Sequence, residues 1–309
     1  MTCNFRVSPT ALRIVIAAMA TVQLQTLAVK ADEAPANLAV VNGTTITESD
    51  LEFLYLSRDV REELRPTVRE RYVELLIDRS LLKEFLRSRK IKAPESVVKD
   101  RVARAEKLIT QEGLNFDDAL KNLGYTRKSF AEEVALPLGW RAHARLAITD
   151  KAIAAYWKTN RSKFDGTEVR AAQIVKRLPR DAKDEDKAAL KQQLSEIRQS
   201  IVDKTATFAT AAAEHSDSPS GKDGGNLGQF AFRGRMPHDL TKVAFALETG
   251  EVSEPFETPF GMHILTVTEV IPGDLSLEDA RGEIFQELSG KLQDGLISQL
   301  REKAEITRP

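Results

Sequence analysis

The sequence predicts an α+β protein in which a compact mixed block, residues 167–272, is inserted into an all-α domain split into N- and C-terminal parts. Three observations carry this. Apolar residues recur at helical spacing almost throughout residues 48–165. From Thr167 the pattern changes to short β-like runs broken by glycine-marked turns. After Pro272-Gly273 it returns to one helical stripe: Leu277, Ala280, Ile284, Leu288, Leu292, Leu296 and Leu300. A lone helix cannot bury an apolar face by itself, so this last helix is expected to dock on the N-terminal ones. The alternative is that it packs only on the block it follows. With 309 residues and 42% hydrophobic content the chain can support a packed core.

Residues 1–31 stand apart from the fold. Arg6 and Arg13 precede the apolar run Ile14 to Met19, and Val29-Lys30-Ala31 suits cleavage before Asp32, so the segment reads as a secretory signal peptide. A retained membrane anchor is the other reading. Gln23, Gln25 and Lys30 weigh against it, because they interrupt a run already shorter than the roughly 20 apolar residues of a span. No second candidate span follows, so no integral span is expected after cleavage. Cys3 is the one cysteine, so cleavage leaves no disulfide. Cleavage also removes Arg6, Arg13 and Lys30 and no acid, taking the formal charge from −1 to −4. That balance gives no electrostatic case for nucleic acid.

The segment 32–166 begins with a polar leader. Two β-prone runs then flank Asn42-Gly43, a hairpin-turn signal, and Thr47 with Asp50 reads as a helix cap. Pro66 suits the first turn of a helix reaching Lys90, and further helices are expected over Pro94 to Gln111, Phe116 to Leu123 and from Arg127. Pro137 is expected to kink or end the last of these. One more helix opens at Thr149-Asp150 and ends by Gly166. In the block 167–272, E-V-R-A-A-Q-I-V-K has a short β-like core, Lys187 to about Val202 reads as a long amphipathic helix and Phe208 to His215 as a shorter one. Strands are expected at Leu227 to Phe230 and Met262 to Val270, with a short helix around Thr241 to Leu247. The segment 273–309 is the C-terminal helix completing the split domain.

Several chemistries fit the residues poorly. The run S-G-K-D-G-G around Lys222 lacks the upstream glycine, the following Ser or Thr and the preceding strand of a phosphate loop. The four histidines, His143, His215, His238 and His263, show no metal-ligand spacing, so no metal and no cofactor are expected. Ser218, His263 and Asp217 lack the elbow motif of a serine hydrolase.

The stretch S-D-S-P-S-G-K-D-G-G-N-L-G-Q-F, followed by R-G-R-M and by A-F-A-L-E-T-G-E-V-S-E-P-F-E-T-P-F-G-M-H-I-L, resembles the parvulin (PpiC-like) family of peptidyl-prolyl cis-trans isomerases. More loosely, V-N-G-x-x-I-T and I-T-D-K-A-I-A-A-Y-W-K-T-N-R-S-K-F resemble the helical arms of exported parvulin-type foldases such as SurA. The resemblance implies a four-stranded antiparallel sheet with surrounding helices and a shallow groove for an X-Pro dipeptide. It implies that Met236, Leu240, Leu227 and Phe260 line the proline pocket, with Phe230 and Thr258 as further substrate-binding residues. His263 and Thr258 fall on the family's buried polar pair, and Ser218 where the family has Cys or Asp. Gln173 stands where the first strand normally supplies a second His. His263, Ser218 and Gln173 are therefore the candidate catalytic residues. Residue by residue, plainer roles stay open: Met236 and Leu240 as core, His263 as a structural histidine, Ser218 as a turn residue. Arg233 and Arg235 could attract an acidic residue before the proline or simply be solvated.

The implied function is an exported foldase that isomerises X-Pro bonds and holds unfolded, proline-containing chains in the periplasm or cell envelope. The rival is a catalytically weak holdase of the same fold, because Gln173 and Ser218 depart from the family pattern.

Overall fold

The computed structural model describes residues 36–179 and 181–309; the expected signal peptide lies outside the described residues. Contacts divide the chain into one unit containing residues up to Thr149 together with Gln286–Pro309, and a second unit, Asp150–Phe285. The division falls within the long C-terminal helix, upstream and downstream of the 167 and 272 positions where the sequence pattern changes.

In the first unit, strands β1 (Asn37–Val41) and β2 (Thr44–Thr47) form a hairpin. Its turn places Asn42 and Gly43 at φ of 48° and 80°, the left-handed pair a two-residue turn needs. The carboxylate of Asp50 accepts hydrogen bonds from the Thr47 amide and hydroxyl, both at 2.9 Å, and caps helix α1 (Glu48–Ser57). Helices α2 (Arg65–Ser88), α3 (Glu95–Gln111), α4 (Phe116–Asn122) and α5 (Arg127–Ala147) follow. Pro137 neither ends nor divides α5. Burial of Leu136, Trp140 and Ala144 around the proline keeps the helix in place despite the missing amide donor.

The C-terminal segment closes this unit. Trp140 Nε1 donates to Ser289 Oγ at 3.0 Å, and Leu300, Ala304 and Ile306 pack on the cluster of Val41, Leu54 and Ile77. Arg301 pairs with Glu74 and Asp78, while β7 (Ile306–Thr307) adds to β1. The C-terminal helix (Leu277–Arg301) thus docks on N-terminal elements, and its opening turns, up to Phe285, fall in the second unit.

The second unit begins with α6 (Asp150–Asn160). Its sheet has the order β4-β3-β6-β5, all antiparallel: β3 is Glu168–Lys176, β4 Asn226–Ala231, β5 Phe256–Thr258 and β6 Gly261–Ile271. Helices α7 (Asp184–Val202) and α8 (Phe208–His215) cover one face, where Leu194, Ile197 and Ala212 pack on Ile174 and Ile264. On the other face Val169, Ala171, Leu265 and Val267 pack with α9 (His238–Ala244) through Leu240 and Ala244. Alternation along a strand therefore sends Gln173 and His263 to this second face.

Candidate functional site

The second face of the sheet opens into a cavity of about 500 Å³. It is lined by Gln173, Val175, Arg177, Leu178, Ser218, Leu227, Met236, Pro237, Leu240, Thr258, Phe260 and His263. Eight of the nine residues selected from the sequence meet here, although they come from segments up to 90 residues apart. The ninth, Phe230, is 4% exposed and packs in the core with Leu240 and Leu265, outside the lining. The bulge at Leu227 on β4 keeps Leu227 and Phe230 in the same apolar cluster, where Phe230 is the more deeply buried of the two.

Three positions give the site its polar floor. Register pairs Gln173 with Leu265 and Val175 with His263, so Gln173 and His263 sit on neighbouring strands and on one face. His263 is 4% exposed, and its Nδ1 lies 3.0 Å from Gln173 Oε1 while its Nε2 lies 2.8 Å from Thr258 Oγ1. An amide oxygen can only accept, so Nδ1 carries the proton and Nε2 accepts from the Thr258 hydroxyl. The Thr258 oxygen in turn accepts the Phe260 amide at 3.1 Å. Phe256 stacks on the imidazole with ring centroids 5.5 Å apart. Burial pushes the His263 pKa down to about 4, so the ring is neutral at physiological pH.

That shift has a sign. Between about pH 4 and 6.5 the unfolded chain binds a proton at His263 that the native state does not, so stability rises with pH across this window. This stabilisation is complete above about pH 6.5 and its full loss, on the order of 3 kcal/mol, is reached below about pH 4. An NMR titration of the His263 ring should show a midpoint near 4 with urea resistance falling over the same range; a midpoint at 6 or above would contradict the buried, neutral relay.

The apolar wall is Leu227, Met236, Pro237 and Leu240, the last 3% exposed. Phe260 differs, since at 66% exposure it stands at the rim and leaves most of its ring open to solvent. Ser218 Oγ lies 3.0 Å from Ser220 Oγ and accepts the Ser220 amide, capping the short helical turn Pro219–Asp223. Its backbone position, not a base, puts it in the cavity.

Arg233 and Arg235 do not line the cavity. Arg233 donates to the Lys163 carbonyl at 2.8 Å, faces Glu283 and lies over Phe164, and Arg235 donates to the Leu227 carbonyl at 3.1 Å. The cation in the lining is Arg177, which sequence reasoning missed along with Val175, Leu178 and Pro237. Val175 was accessible from alternation with Gln173, and Pro237 from adjacency to Met236. Arg177 and Leu178 lie past the strand end, where no periodicity applies. Among the described residues, no group of three or more His, Cys, Asp or Glu side chains could hold a metal ion.

Residues 174–269 match the model of the rotamase family described as the PPIC-type PPIASE domain. A Haemophilus influenzae protein named SurA is 29% identical over 262 residues, covering 77% of this chain and 81% of that protein. The foldase protein PrsA of Bacillus subtilis is 31% identical over 171 residues, covering 53% of this chain and 51% of that one. Among solved structures, PrsA from Bacillus anthracis aligns with 20% identity and a TM-score of 0.46, over 74% of this chain and 94% of that one.

Proposed function

Taking as premise that residues 174–269 are a PPIC-type peptidyl-prolyl cis-trans isomerase domain, we propose that the chain is an exported foldase that turns over X-Pro bonds in unfolded polypeptides. In this reading residues 1–31 direct export to the periplasm or envelope, 167–272 isomerise, and 32–166 with 273–309 hold unfolded clients. Among the described residues no helix is long and apolar enough to cross a membrane.

The observation that carries the proposal is the convergence of an apolar wall and a neutral polar floor on one open cavity. Rotation about a peptide bond faces a barrier of about 18–20 kcal/mol, set by amide resonance. No bond breaks, so neither nucleophile nor metal is required. Met236, Leu240 and Leu227 grip the prolyl ring, and the wall keeps water from the carbonyl, whose charge-separated resonance form water stabilises. A neutral His263 relay fits this task, because a fixed cation at the carbonyl would favour the planar ground state. Gln173, Thr258 and Ser218 complete the floor, with Phe260 at the rim.

The test is a protease-coupled assay of a proline tetrapeptide with the mature chain. A rate above background is expected, with Met236→Ala lowering kcat/KM about tenfold through lost apolar burial. Absence of turnover would favour the second reading, a holdase of parvulin fold. One observation favours that reading: the Ser218 hydroxyl is already engaged by Ser220.

A further inference from the structure

We propose that Asp217, which is not in the cavity lining, is a positioning residue that sets the mutual placement of the two segments forming one side of the cavity. The proposal rests on the isomerase reading above. One segment is the end of β3, which supplies Val175, Arg177 and Leu178; the other is the turn after α8, which supplies Ser218. They are about 40 residues apart in sequence and are not neighbouring strands of the sheet.

Asp217 joins them from both sides. Its amide donates to the Val175 carbonyl at 2.8 Å. One carboxylate oxygen accepts Lys176 Nζ at 2.7 Å and the other accepts the Arg177 amide at 2.9 Å. Ser216 adds to the clip: its hydroxyl oxygen accepts the Val175 amide at 3.2 Å and the Ser218 amide at 3.3 Å, and Lys176 Nζ also donates to the His215 carbonyl. Burial works to raise the Asp217 carboxyl, but the Lys176 ammonium and the Arg177 amide outweigh it and hold the group below the ordinary carboxylate range. The carboxylate is thus ionised throughout the neutral range and holds both donors with charge-assisted bonds. Because the Arg177 amide past the strand end has Asp217 as its acceptor, the direction in which Arg177 and Leu178 leave β3 follows from this side chain.

Loss of the clip should loosen the side of the cavity formed by Val175, Arg177, Leu178 and Ser218 without removing any group that lines it. Displacements of this kind, on the order of 1 Å, cost activity steeply. The experiment measures kcat, KM and the affinity for a fluorescent proline tetrapeptide on the full mature chain, well below its melting temperature. Asp217→Ala should lower kcat/KM and affinity about tenfold. Asp217→Asn, which keeps an acceptor for the Arg177 amide but loses the ion pair, should fall between, and Asp217→Glu should recover most of the loss. If Asp217→Ala fails to fold, Lys176→Met removes the ion pair from the other side and should cost about threefold.

A lowered melting temperature with unchanged kcat, KM and affinity would reduce Asp217 to a structural role and overturn the proposal. If the parent chain binds the tetrapeptide without turning it over, the isomerase reading fails while the affinity series still decides the clip. If it neither binds nor turns it over, both fall.

Discussion

Replacing Glu133 with alanine is expected to destabilise the unit made by the N-terminal helices and the C-terminal segment by about 3–5 kcal/mol. Glu133 on α5 has only 10% of its side chain exposed, and its carboxylate accepts from both Arg79 and Lys83 on α2. Burial alone would raise its pKa; the two cations outweigh burial and hold the carboxyl below its ordinary value. Truncation removes the anion that both cations share, with Arg79 itself only 11% exposed at the side chain. Removing one partner of a buried ion cluster costs far more than replacing the whole cluster. Accordingly, the triple replacement Glu133→Leu, Arg79→Met, Lys83→Met should recover most of the loss. Trp140 lies in this unit and Trp157 in the other, so urea unfolding followed by Trp140 fluorescence in a Trp157→Phe background reads the effect. A shift below about 1 kcal/mol would mean that solvent screens the cluster as it screens surface pairs.

Gly225→Ala is expected to cost the second unit about 3 kcal/mol or more and to reduce isomerase activity with it. Gly225 has φ of 84°, which side-chain-bearing residues adopt at a cost. A Cβ built there would lie 2.3 Å from the Gln173 carbonyl oxygen and 3.1 Å from the Gln173 amide nitrogen, both backbone atoms of the central strand. The Gly225 carbonyl also accepts the Gln173 amide at 2.9 Å, so the two backbones cannot separate without losing that bond. Strain at Gly225 is therefore transmitted to the residue that orients His263. Hydrogen exchange of the β3 and β6 amides should accelerate, and the tetrapeptide assay should show a parallel loss. Protection and turnover equal to the parent chain would show that β3 can yield by the roughly 0.7 Å or more needed to relieve the 2.3 Å contact.

Much of this was legible from residue order. The Asn42-Gly43 turn, the Thr47 and Asp50 cap, the run of helices and the two long strands are each specified within a few neighbouring residues. Local signals left open whether Pro137 ends α5, which packing carries past it, and missed β5 and β7, whose three and two residues are too few for periodicity to register.

By itself the sequence, through its resemblance to the parvulin pattern, pointed to eight of the residues that line the cavity, and strand alternation set the face of Gln173 and His263. Tertiary structure alone decided how each is used. It put Phe260 at the rim and Phe230 in the core, committed Ser218 to a cap, engaged Arg233 and Arg235 away from the cavity and left Arg177 in its lining. The physical reason is that a side chain's role follows from which partners reach it first. Gln173 and His263 meet across 90 residues of chain through strand register, which no local pattern encodes.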